Sequence, residues 1–222
     1  MLIPMILPIV YIALYKRQYI VEIILITLTM IFAVIAYWPL TTGFRTTANI
    51  LPKFILFVFI PYIILFVYWK LKKNSENHFK LLGLTNKNLE RSFKLGLALI
   101  PLMILITFLA KYMIGLSTME PYLEVGVVSF IESFTEEFFF RGILFLLLMM
   151  RTNFTVAYIT SLSSFILMHP QNLADLFIIS TIAQGILTLE ICRRTKNLAG
   201  AWVLHGTNRF FSIIILPFIY VK

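Results

Sequence analysis

The sequence is poor in most of the residues that soluble enzymes use. It has one cysteine, Cys192, so neither an internal disulfide nor a cysteine-based metal site can form. Cys192 stands beside Arg193 and Arg194, and no role is assigned to it. Asp175 is the single aspartate, which excludes the aspartyl dyad of one intramembrane protease class. No His-Glu-x-x-His stretch and no Gly-x-Ser-Gly stretch occurs, so the helical zinc motif and the serine-nucleophile motif are excluded as well. Charged residues make up 13% of the chain, against about 25% in ordinary soluble domains. There is no internal repeat and no low-complexity tract. The apolar N-terminus lacks a basic leading region and a small-residue cleavage site, and is not read as a signal peptide.

What the chain has in quantity is apolar surface. Hydrophobic residues make up 60% of its 222 positions, with 21 Phe and 10 Tyr. That composition excludes a water-soluble globular protein, and the aromatic content excludes disorder. An integral membrane protein remains. Backbone groups must be satisfied internally in hydrocarbon, and the alternation of a membrane β-barrel is missing, so helices are the default. A spanning helix needs about 20 apolar residues. The expected fold is therefore an all-α polytopic membrane bundle of about eight transmembrane helices. Their approximate limits are 2–15, 19–40, 51–70, 95–116, 123–150, 154–170, 172–192 and 198–220.

The formal net charge is +9. In a membrane protein such an excess fixes topology and meets anionic lipid, so no nucleic-acid partner is inferred. The long polar segment 71–94 carries six Lys and Arg and is expected on the cytoplasmic side, its second half forming a short surface helix. That choice puts 13 basic residues in inner loops and four, Arg45, Lys53, Lys111 and Lys222, outside. Both termini then face outward. Trp38, Trp69 and Trp202 fall near span ends, where interfacial aromatics are expected, and His78 in the basic loop is read as solvated.

Against this background the charges within spans stand out. The fifth span contains Glu132, Glu136, Glu137 and Arg141. A charge at the bilayer centre costs roughly 2.5–3.5 kcal/mol on insertion scales. Glu137 and Arg141 are four apart and can pair on one helix face. Glu136 is turned about 100° from Glu137. It has no obvious partner on its own helix except Glu132, which repels it. A carboxylate so placed favours its neutral form and is poised as a general base. Two of the three histidines also fall in spans, His169 one turn after Phe165 and His205 three residues before Asn208. A carboxylate base, with His and Asn donors for an oxyanion, suits peptide hydrolysis. Glu136, His169 and His205 equally make a His₂Glu ligand set for catalytic zinc. The residues leave both versions open.

Three motifs in order, Glu136-Glu137-x-x-x-Arg141, Phe165-x-x-x-His169 and His205 followed by Asn208, resemble the CAAX protease and bacteriocin-processing family of intramembrane endopeptidases, which includes the type II CAAX prenyl endopeptidases. The resemblance covers about 120–215, and the stretch before 95 is similar to the linker that often precedes this domain. It implies N-terminal transmembrane helices with a basic cytoplasmic loop over 1–94 and a catalytic helical core over 95–222. It implies that Glu136 activates water, that Glu137 and Arg141 orient it, and that His169, His205 and Asn208 complete the site. The family is described both as metal-dependent and as glutamate-dependent without a metal, so the cofactor is either one divalent metal such as zinc or none. The implied partners are a membrane-embedded or lipid-associated peptide substrate and membrane lipids, in a bacterial plasma membrane. The third motif usually carries Asn four residues after its histidine, where this chain has Arg209. The alternatives to an endopeptidase are a non-catalytic immunity or binding protein on the same scaffold and a proton-coupled transporter.

One geometric conflict follows from the spans. With straight, full-length helices, His169 lies near the outer end of the sixth span and His205 near the inner end of the eighth, more than about 10 Å apart in depth. Bent or broken helices around a water-filled cavity are expected to bring them together.

Overall fold

The computed structural model describes residues 2–41, 50–73, 75–115 and 123–220. Among these, every regular element is helical. The principal helices are α1 (Ile6–Tyr15), α2 (Ile20–Thr41), α3 (Ile50–Leu71), the short α4 (His78–Leu81) and α5 (Leu89–Met113). Helix α6 starts as Leu123–Glu137, continues as a π-helix over Phe138–Leu147 and ends in Leu148–Arg151. Helices α7 (Phe154–Leu167), α8 (Ile178–Thr195) and α9 (Ala199–Ile219) complete the bundle. The chain is an all-α, multi-pass membrane bundle.

The eight expected segments are present as helices, but they are not equivalent. Four segments, Arg17–Tyr37, Ile50–Leu71, Leu89–Met113 and Ala199–Ile219, are long and apolar enough to cross a membrane. Helices α1 and α7, with 10 and 14 residues, are too short for a full span. Helix α8 is interrupted chemically: Ser180, Thr181, Gln184, Thr188 and Thr195 are buried along it. The surface helix expected from Asn86 is corrected too. Helix α5 runs without a break from Leu89, and the separate surface turn is α4, capped by the Asn77 side chain, which accepts from the Lys80 amide.

Helix α6 is the centre of the fold. Every residue from Phe138 to Leu148 is buried, so the helix is enclosed on all sides, as a helix apolar all round must be. The π-helical stretch begins directly after Glu137. Wide turns of this kind leave carbonyls off the regular ladder, and Ser161 of α7 donates to one of them, Phe140, at 2.6 Å.

Helices α5 and α9 cross with their backbones in contact. A Cβ added at Gly200 would strike the Ser92 carbonyl, and one added at Gly96 would strike the backbone of Gly200. Small residues permit such approach, which membrane helices use because lipid gives no hydrophobic drive to association. The crossing is also hydrogen-bonded: Ser92 Oγ accepts from the Gly200 amide at 2.9 Å. Asn197 secures the start of α9, its Oδ1 accepting from Ala199 N while its Nδ2 donates to the Thr85 and Lys87 carbonyls.

A second polar knot joins α2, α3 and α6 away from these crossings. Arg151 pairs with Glu22 at 2.9 Å and with Glu76 at 2.7 Å, and its guanidinium lies over the Tyr19 ring. Trp69 Nε1 donates to the other Glu22 oxygen at 2.6 Å. Trp69 is therefore a buried donor and not an interfacial aromatic. His78 is corrected in the same way: it is half-buried, with its ring 4.4 Å from that of Trp69. Trp202 is half-buried and donates to the Phe130 carbonyl. Arg45, Lys222 and the side chain of Trp38 lie outside the described residues.

Gly200→Leu is expected to separate α5 from α9 and to lower stability by about 1–3 kcal/mol or more, the usual scale of overpacking. Thermal unfolding in detergent measures this, and Gly115→Ala, at a position with no neighbour within 4 Å of an added Cβ but with a positive φ, serves as a control for backbone strain alone.

Candidate active site

Helix α6 presents three carboxylates within two turns, and each has a cation. Glu137 pairs with Arg141 at 3.1 Å on the same helix, as the four-residue spacing requires. Glu132 pairs with Arg209 of α9. Glu136 pairs with Lys53 of α3, whose ammonium lies 2.9 Å from Oε1 and 3.8 Å from Glu132 Oε1. All three carboxylates are 1% exposed or less. With both imidazoles neutral, the formal charges of these six side chains cancel, which burial demands.

Lys53 is the main correction to the sequence. It was expected in an outer loop, yet it is 5% exposed and sits on the central carboxylate. The premise that Glu136 has no partner fails with it. The sequence carried a weak signal, a lysine three residues inside an apolar run, but nothing in one dimension links positions 83 apart.

The two histidines converge on Glu136. His169 Nε2 is 3.7 Å and His205 Nε2 is 3.8 Å from Glu136 Oε2. The conflict in depth is resolved by helix length. Helix α7 has 14 residues, roughly 21 Å, shorter than a hydrocarbon layer of about 30 Å. His169 follows immediately, before a 3₁₀ turn at Pro170–Ala174.

Each ring is held through its other nitrogen. His169 Nδ1 lies 2.9 Å from the Phe165 carbonyl, and His205 Nδ1 lies 2.8 Å from Glu137 Oε1. Carbonyl and carboxylate oxygens only accept, so both Nδ1 atoms donate, and in the neutral rings both Nε2 atoms carry lone pairs toward Glu136. Phe165 anchors the group. Arg141 lies 4.1 Å above its ring, and the rings of His169 and His205 meet it edge-on at 4.9 and 6.0 Å. Thr188 of α8 accepts from Arg141 Nε at 2.8 Å and fixes the guanidinium.

Asn208 is engaged elsewhere. Its Oδ1 accepts from Thr107 at 2.7 Å, and its Nδ2 donates to Gln184 at 2.7 Å, tying α9 to α5 and α8. Arg209, one residue on, keeps a buried Nε with no hydrogen-bond partner among the described residues. A polar cavity of about 210 Å³ reaches this group, with His169, His205, Asn172, Gln184, Asn208 and Arg209 in its wall.

The donor types of a His₂Glu metal site are present, but the surroundings do not suit a dication. Among the described residues no group of three or more His, Cys, Asp or Glu is arranged to hold a metal ion. Lys53 already occupies one oxygen of Glu136, and the six-charge cluster carries no surplus negative charge to offset two positive ones.

The described residues form an all-α membrane bundle with a buried carboxylate–histidine centre, and one comparison finds a likeness to it. Residues 117–211 match the family described as "Rce1-like: Type II CAAX prenyl endopeptidase Rce1-like". The match lies in the same region as the three motifs and supports the resemblance of that region to the CAAX protease and bacteriocin-processing family. Searches of curated proteins and of solved structures found no match.

Removing one member of a buried pair leaves an uncompensated charge, at a cost of about 3–5 kcal/mol. Arg141→Met is therefore expected to lower the thermal midpoint sharply, and Glu137→Gln added to it to restore part of the loss. Thermal unfolding of the single and double variants measures the coupling.

Proposed function

We propose that the protein is an intramembrane endopeptidase that hydrolyses a peptide bond of a membrane-associated peptide with water activated by Glu136. One observation carries this reading. Among the described residues Glu136 Oε2 is buried without a hydrogen-bond partner, and the Nε2 atoms of two imidazoles, lone-pair acceptors when the rings are neutral, face it at 3.7 and 3.8 Å. Three acceptors pointing at one spot repel each other unless a donor lies between them. A water molecule supplies two donors and presents its own oxygen for attack.

The step then balances with groups already in place. Glu136 takes a proton from water while the water oxygen bonds to the scissile carbonyl carbon. The oxyanion that forms meets a donor, and Arg209 Nε is the buried N–H left spare at the cavity. Glu136 returns the proton to the leaving amine as the carbon–nitrogen bond breaks, giving one carboxylate and one amine. His205 is held by Glu137, and Glu137 by Arg141, so the motif-one pair orients the site without touching substrate. Asn208 acts as a helix-packing residue and not as the donor expected at first.

The family description suggests a lipidated peptide substrate, and the membrane in question is taken to be a bacterial plasma membrane. Purified protein in detergent is expected to cleave a fluorogenic peptide carrying a prenylated cysteine. Glu136→Gln is expected to lose about 10²–10⁴-fold in kcat, the range of a general base, and His169→Ala a comparable share. Both variants cleaving at the parent rate would exclude the site.

Chelation gives a separate test. Dialysis against EDTA is expected to leave cleavage unchanged, whereas a loss reversed by zinc would establish the metal-dependent route.

One observation favours a non-catalytic immunity or binding role: an ammonium sits directly on the carboxylate meant to act as base. That role predicts that Glu136→Gln keeps the biological effect in cells.

A further inference from the structure

We infer that Lys53 is a positioning residue of the hydrolytic site, holding Glu136 Oε1 so that Oε2 faces the two imidazoles. The inference rests on Glu136 being the base. It extends the site beyond residues 117–211, where the family match lies, into the N-terminal helices.

A buried ammonium in an apolar helix is costly and persists only when paired. Lys53 had two carboxylates to choose from, one turn apart on α6. It hydrogen-bonds to Glu136 at 2.9 Å and stays 3.8 Å from Glu132. Arg209 explains the choice, because its guanidinium already occupies Glu132. Lys53 is thereby committed to Glu136. A carboxylate has two oxygens, and fixing one fixes the direction of the other. The ring of Tyr37, 6.0 Å from the ammonium, closes the far side. Among the described residues the hydrogen bond that holds the Glu136 carboxylate is the one from Lys53, so without it the side-chain torsions can turn Oε2 away from His169 and His205.

A purely structural counter-ion is the competing explanation, and charge arithmetic separates the two. Lys53→Met leaves the cluster one negative charge in excess and is expected to be unstable. Lys53→Met combined with Glu132→Gln restores neutrality. If Lys53 only balances charge, the double variant turns over as fast as Glu132→Gln alone. If Lys53 positions Glu136, the double variant regains thermal stability but has a kcat about 10- to 100-fold below Glu132→Gln, with KM within about twofold, because orientation is lost and binding is not. Lys53→Arg, which keeps a cation in reach of Oε1, is expected to recover part of kcat.

The assay uses the prenylated fluorogenic peptide and full-length protein. Equal kcat for Glu132→Gln and the double variant overturns the role of Lys53, as does faster cleavage by Lys53→Met. Glu136→Gln in the same assay separates this failure from failure of the base assignment: a Glu136→Gln variant as active as the parent overturns both.

Discussion

The rest of the structure depends on keeping a six-charge cluster neutral in an apolar interior. Three carboxylates rise from one face and a half of α6, and three cations meet them from α3, α6 and α9. Lipid offers no water to a stray charge, so helices that supply a missing partner are drawn together by the cost of leaving it unpaired. The pairing adds to the apolar packing of α3 on α6, where the Phe57 ring lies 5.4 Å from that of Phe139. It also explains why the N-terminal helices are continuous with the matched region in packing, with Lys53 crossing between them.

Two neutral devices carry the remaining precision. Phe165 presents its ring to Arg141 and its edges to both histidines, so one aromatic side chain sets the relative positions of three polar ones. The Nδ1 contacts to Phe165 and Glu137 then fix which nitrogen of each ring points inward. The result is a concentration of acceptors around Glu136 Oε2. The pairing scheme also explains why Glu137 and not Glu136 carries the arginine: Glu137 has one oxygen for Arg141 and one for His205, and both are committed.

The fold was legible in the sequence because spans are long, and a run of apolar residues needs no partner to be recognised. Helices α2 and α3 begin and end within a residue of where hydropathy puts them, whereas α5 starts at Leu89, ahead of the expected 95. The charges that hydropathy cannot accommodate, Glu136, Glu137 and Arg141, pointed to the site for the same reason. What hydropathy could not show was pairing between helices. Lys53, Glu22 and Arg151 each lie near a span end, where a charge usually means a loop, and only their distant partners reveal them as interior. The length of α7 was obscured differently. The apolar run continues through Met168, and the local sign that the helix stops at Leu167 is Pro170, which disfavours helical backbone at His169. The π-helical stretch has no composition of its own, being defined by what surrounds it.

Arg209 shows how one departure from a motif can be absorbed by its neighbourhood. With asparagine there, Glu132 would keep no cation but Lys53, and Lys53 would have to serve two carboxylates. Arginine relieves that competition by pairing with Glu132 from α9. The neutral amide of Asn208, meanwhile, is spent on Thr107 and Gln184, contacts that lock α9 against α5 and α8. The charged and neutral tasks of this turn are thus divided between two adjacent residues about 100° apart on the helix. Both reach the cavity wall, but Arg209 pairs with a carboxylate and Asn208 bonds across the helix interface. A replacement at 209 and the buried lysine at 53 are in this sense one feature, since each is tolerated because the other is present.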